Sequence, residues 1–197
     1  MLSVILKNIN MLVTREREKL LNALIFFSDQ VLYPGKTKLF KLLNYLDFLH
    51  YQKTGRSVTG LQYNAWERGP VPEELYNEWK HPQQDFIQHF IKKNIDFQNG
   101  YQRQVLKPRK QFDATYFSPF ELSIMECLAK QHFKENANDM SESSHFETGP
   151  WHEVYEVQQK PSEVIPYELT LLRRGNEEDQ KVLDLAKERE ELMSHYK

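Results

Sequence analysis

Between Lys36 and Pro72 the chain reads KTKLFKLLNYLDFLHYQKTGRSVTGLQYNAWERGPVP, and no other stretch restricts the possible folds as strongly. Leu39, Leu42, Leu43, Leu46 and Leu49 recur at steps of three and four residues, which at roughly 100° per residue places them on one face of a helix. Phe40, Phe48, Tyr45 and Tyr51 widen that face, leaving a thin polar seam of Lys41, Asn44, Asp47 and Gln52. A helix with so little polar surface must be covered on several sides, so it belongs at the centre of a bundle. Thr37 is a candidate N-cap, and Gly55 stands where a left-handed residue would end the helix. A short strand is expected over 61–67, followed by an elbow at Gly69-Pro70.

The flanking sequence supplies the partners such a helix needs. Leu20, Leu21, Leu24, Phe27, Val31 and Leu32 form a second apolar helical face that ends at Pro34-Gly35, so the two helices should pack together. A short helix is expected over 72–79, with Leu75 and Trp79 turned inward, then a helix-like cluster of Phe86, Ile87, Phe90 and Ile91. Asn99-Gly100 between Ile95, Phe97 and Tyr101, Val105, Leu106 signals a hairpin, which the 61–67 strand should join in a small sheet. Ser118-Pro119-Phe120-Glu121 combines an N-cap, a proline at the first helical position and a capping-box glutamate, the sharpest boundary in the sequence. The helix it opens carries Leu122, Ile124, Met125, Cys127, Leu128 and Phe133, with Cys127 expected to be buried as a small apolar residue. A short helix over 140–146, a mostly irregular or turning segment from Trp151 to Pro166 and an amphipathic helix after Gly175 complete the chain.

The expected fold class is α+β and predominantly α-helical, a helical bundle around a central buried helix with a small antiparallel β-sheet. Its parts are an N-terminal arm over 1–13, a main domain over 14–174 and a C-terminal helical extension over 175–197. At 197 residues and a net charge of -2, the chain has room for one sizeable core and no global field drawing it to nucleic acid or anionic membrane. A single cysteine suits a reducing cytosol, and the expected location is cytoplasmic, without membrane attachment.

Few residues offer chemistry. Asp47 and His50, three apart on the central helix, have neighbouring side chains, and a core histidine held by a carboxylate accounts for them better than an acid-base pair. His145, Glu147, His152 and Glu153 surround Gly149-Pro150-Trp151 without a zinc spacing, so no metal and no other cofactor is expected. Ser144 lacks a nucleophile elbow. Arg103, Lys107, Arg109 and Lys110, with Tyr101 and Phe112, form a basic aromatic run that could meet nucleic acid, although a solvated hairpin edge explains it better.

Taken together, Lys38-Leu39, Lys41-Leu42-Leu43, Tyr45, Asp47, His50, Gly55, Gly60, Tyr63, Ala65 and Gly69-Pro70-Val71 resemble the signature of the Panacea domain, found in SocA-like antitoxins and phage-associated proteins. Ser144-His145 followed by Trp151 resembles that family's second signature, and the likeness spans about Leu20 to Tyr167. It implies a non-enzymatic antitoxin that neutralises a cognate protein toxin encoded nearby by direct contact. In that reading Asp47, His50, Ser144, His145 and Trp151 form a polar centre that maintains the fold. Tyr63, Gly69 and Pro70 shape the turn and strand, while Trp66, Arg68, Leu185 and Leu192 are candidate toxin contacts. A nucleic-acid-binding regulator using the basic hairpin 101–112 and a hydrolase with an Asp/His site are the alternatives, and self-association is left open.

Overall fold

The computed structural model describes residues 15–96, 102–136, 140, 149–172 and 176–195. Helix α1 (Glu16–Gln30) leads through Tyr33, Pro34 and Gly35 into the central helix α2 (Lys36–Thr54). Strands β1 (Asn64–Trp66) and β2 (Gly69–Val71) precede the short helices α3 (Glu73–Lys80) and α4 (Gln84–His89). Strands β3 (Phe90–Asp96) and β4 (Gln102–Pro108) come next, then α5 (Pro119–Gln131). The chain then forms α6 (Pro150–His152), continued by a π-helical turn over Glu153–Val157, followed by α7 (Leu169–Leu172) and α8 (Glu177–His195).

The predominantly helical α+β architecture is the expected one, and α2 is its axis. α2 packs against α1, α5, α7, α8 and β2, and Leu39, Leu42, Leu43 and Leu46 are wholly buried. Its polar seam also faces inward. Lys38, Lys41, Asn44, Asp47 and His50 are all buried, whereas Leu49, which the leucine spacing groups with the core, is 43% exposed. A helix enclosed on several sides satisfies its polar residues through partners in the protein, so hydropathy alone misplaces its solvent strip. Leu32 is likewise outside the core, at 40% exposure, because α1 ends at Gln30 and the chain turns through Tyr33 at φ 53°.

Both ends of α2 depend on glycine. Gly35, rather than Thr37, is the N-cap, and Gly55 closes the helix at φ 66° with its amide bonded to the Tyr51 carbonyl. A Cβ at Gly55 would lie 2.9 Å from the Val182 carbonyl oxygen and 3.1 Å from Ala186 Cβ. The C-terminal helix α8 therefore rests against the end of α2, with Ala186 buried beside Tyr51 and Leu171. At the start of α5 the capping box forms as expected: Ser118 Oγ accepts from the Glu121 amide, and the Glu121 carboxylate accepts from the Ser118 amide.

Two further expectations fail. The strands form two separate two-stranded antiparallel sheets, β1 with β2 and β3 with β4, so the strand after α2 does not join the long hairpin. β1 instead folds back across Glu67 and Arg68 onto β2, pairing Asn64 with Val71 and Trp66 with Gly69. Its other side is covered by 162–165: Ala65 N bonds to Glu163 O, Ser162 N to Ala65 O, and Ile165 N to Tyr63 O. Cys127 is exposed, because α5 turns Glu121, Met125, Leu128 and Ala129 inward and residue 127, two positions from both Met125 and Ala129, points to the opposite side of the helix. The Trp151 to Pro166 segment opens with helical turns that end at Val157 and is bends, turns and irregular chain from there on, and both Trp151 and Val154 are buried. The 140–146 helix lies outside the described residues except for Met140, and the Asn99-Gly100 turn also falls outside them. Among the described residues, no helix is long and apolar enough to cross a membrane.

Candidate functional site

The polar centre begins with Asp47, which is fully buried. The turn after α2 wraps back over it. Oδ1 accepts from the Val58 and Thr59 amides, both at 2.8 Å, and Oδ2 accepts from the Thr59 hydroxyl at 2.5 Å and the Tyr63 hydroxyl at 2.7 Å. Burial pushes the carboxyl up to about 6, against these four donors, each of which favours the ionised form. Tyr63 is fully buried as well, and burial together with the Asp47 charge raises its phenol well above the ordinary value. Tyr167 packs edge-on to Tyr63 and stacks on Tyr51, and its hydroxyl donates to the Leu61 carbonyl at 2.6 Å.

His50 belongs to a different cluster. Its Nδ1 lies 2.8 Å from the Arg56 carbonyl, and since a carbonyl only accepts, Nδ1 carries the proton. Burial lowers the His50 pKa, so the ring is neutral near pH 7, with Nε2 3.9 Å from Glu121 Oε1. Burial would raise Glu121, but the Lys19 ammonium at 2.6 Å and the Ser118 amide outweigh it and hold the carboxyl below its usual range. The carboxylate beside His50 is therefore Glu121 of α5. No hydrogen bond joins Asp47 to His50, although one helical turn separates them: Asp47 faces the 58–63 loop and His50 faces α5.

The second part of the centre is the Gly-Pro elbow. Gly69 (φ 107°) and Pro70 are buried in β2, and the Lys41 ammonium, itself buried, donates to the Arg68 carbonyl at 3.1 Å. Burial lowers the Lys41 pKa to about 8. Trp151 reaches the same hairpin from the far end of the chain, donating its indole N–H to the Trp66 carbonyl at 2.8 Å while stacking on Tyr155. A cavity of about 200 Å³ lies beside it, lined in part by Tyr45, Phe48, Leu49, Pro70 and Trp151. Neither Asp47 nor His50 lines this cavity. Ser144 and His145 lie outside the described residues.

Among the candidate contacts, Trp66 and Arg68 share the β1–β2 hairpin. Arg68 is exposed, and Trp66 is half-buried with its ring edge-on to Tyr76 at 4.9 Å. Leu185 and Leu192 are 57% and 53% exposed on α8, seven residues apart and so on one stripe of that helix. Lys19, Thr59 and Tyr167 complete the two buried clusters without having been singled out from the sequence. Glu121 did carry a signal, as the capping-box residue, but that pattern specifies only the backbone bond. No group of His, Cys, Asp and Glu among the described residues could hold a metal ion.

The domain thus has a closed polar centre, with exposed apolar and cationic side chains on the elements around it. Residues 39–152, more than half of the chain, match the family model described as antitoxin SocA-like, Panacea domain, and the protein belongs to that family. No curated protein and no solved structure matches the chain significantly.

Proposed function

We propose that this protein is the antitoxin of a toxin–antitoxin pair and neutralises a cognate protein toxin by direct binding, without catalysis. Membership of the SocA-like antitoxin family is the observation that carries this reading. The buried centre agrees with it. Asp47 spends both oxygens on four internal donors, and His50 is 1% exposed, so neither is open to a substrate. In this reading Asp47, His50 and Trp151, with Ser144 and His145, maintain the scaffold, and the toxin binds on the surface that includes Trp66, Arg68, Leu185 and Leu192.

The nucleic-acid alternative is less well supported. Of the two aromatic residues beside the basic run, Tyr101 lies outside the described residues, and Phe112 is half-buried and packed against Phe26 and Phe117 at 5.1 and 5.8 Å, which disfavours its stacking on a base. Co-expression with the product of the neighbouring reading frame tests the proposal. Neutralisation requires that growth be restored and that the two proteins co-purify. Continued growth arrest with no complex refutes it.

A further inference from the structure

Lys36, the first residue of α2, and Lys80, the last of α3, converge on one aromatic ring. Their ammonium nitrogens lie 4.2 and 4.4 Å from the centroid of Tyr76. Neither ammonium forms an ion pair among the described residues, although Glu73 lies one turn before Tyr76 on the same helix. Tyr76 is half-buried and braced edge-on by Trp66, so its ring position is fixed.

Further cations crowd the same place. The Lys92 ammonium donates to the Trp79 carbonyl and lies 5.6 Å from the Trp79 ring centroid. Its own burial and repulsion from Lys36 lower its pKa. The Arg103 side chain packs beside Gly35, immediately before Lys36, with its guanidinium 5.9 Å from the Tyr33 ring centroid. In a chain whose net charge is -2, this is a local concentration of positive charge held on aromatic supports.

Like charges repel, and gathering them is unfavourable unless something offsets the repulsion. The ring quadrupole of Tyr76 offsets part of it and restricts both lysine side chains. An approaching carboxylate would meet two oriented ammonium groups that have already given up much of their rotamer freedom. The neighbouring half-buried Trp66 adds the kind of aromatic anchor that dominates protein interfaces.

We propose that the Lys36–Tyr76–Lys80 face, continued by Trp66 and Lys92, is the docking surface for a short acidic segment of the protein partner. This rests on the toxin-binding reading above and specifies its chemistry. Glu67 is exposed next to Trp66 and Glu73 is exposed one helical turn before Tyr76, so the face suits one or two carboxylates rather than a continuous phosphate backbone, which needs many cations along a track.

The test measures binding of a fluorescently labelled hexaglutamate peptide, and separately of a short DNA duplex, to the full chain at low and at physiological salt. The wild type should bind the peptide with salt-dependent affinity, and Lys36→Gln/Lys80→Gln should weaken binding about ten-fold, as loss of two exposed ion pairs implies. Lys36→Arg/Lys80→Arg should retain binding, and Lys130→Gln on α5 should leave it unchanged. Unaltered circular dichroism and thermal melting will show that the variants are folded. Equal peptide binding by wild type and the Gln variant, or no binding by wild type, overturns the proposal. Tighter DNA binding lost through the same two lysines also overturns it, assigning the face to nucleic acid. If the Gln variant loses the peptide yet restores growth as well as wild type, the docking proposal fails while neutralisation stands. If wild type does not restore growth, neutralisation fails whatever the peptide does.

Discussion

Replacing Asp47 by alanine should be among the most damaging single changes to this domain. The carboxylate satisfies the Val58 and Thr59 amides and the Thr59 and Tyr63 hydroxyls, and none of the four donors can reach bulk water where they stand. A buried donor left without a partner costs about 1–3 kcal/mol, so four give a gross loss of about 4–12 kcal/mol. Against this, the variant no longer buries a carboxyl group. That group's pKa of about 6 against 3.8 in the unfolded chain corresponds to a penalty of roughly 3 kcal/mol at neutral pH. The expected net loss is about 1–9 kcal/mol, centred on about 5 kcal/mol and so a large share of the 5–15 kcal/mol that holds a typical domain together. Urea unfolding followed by tryptophan fluorescence measures it, with Tyr63→Phe, which removes one donor, expected to lose about 1–2 kcal/mol. A loss under about 1 kcal/mol in Asp47→Ala would refute the claim that this carboxylate organises the turn after α2.

The same group should leave a mark on the pH dependence. Because folding raises the Asp47 pKa, its contribution is most favourable below the unfolded value of 3.8 and is lost as pH rises through about 6; wild type minus Asp47→Asn stability should therefore fall across that window. A flat difference there excludes the raised pKa. Gly55→Ala should cost about 1–2 kcal/mol through left-handed backbone and the close Val182 carbonyl, and should speed amide exchange in α8. Unchanged α8 exchange would show that the helix does not depend on this contact. Ser118→Ala should lose about 1 kcal/mol in thermal or urea unfolding by removing one half of the capping box, and a change within error would discount that cap.

What could be read from the sequence was local. The leucine spacing located α2, Gly55 marked its end, and Ser118-Pro119-Phe120-Glu121 set the start of α5 to the residue, because each depends on neighbours within one turn. The partners of the polar centre depend on how distant elements pack. Asp47 and His50 stood out as polar residues on an apolar helix, but Thr59, Tyr63 and Glu121 reach them only once the loop folds back and α5 docks. Cys127 and Leu49 were misplaced for a related reason. Both lie among apolar residues, and which side of a helix faces solvent is decided by its neighbours. The β1–β2 hairpin was hidden because Gly69-Pro70 reads as a break, whereas Pro70, opposite Ala65, occupies an edge that proline tolerates.

The backbone around β1 also bears on how the protein is made. Ala65 N is completed by Glu163, Ile165 N by the carbonyl of Tyr63, and the Trp66 carbonyl by Trp151. At ribosomal speeds of roughly 5–20 residues per second, the interval between synthesis of β1 and of these partners is on the order of 5–20 s. Throughout that interval a strand edge at the heart of the family signature has no native cover. A nascent chain stalled before residue 150 would expose this edge to proteases and chaperones, so the hairpin is completed only after residues 151–165 have been made.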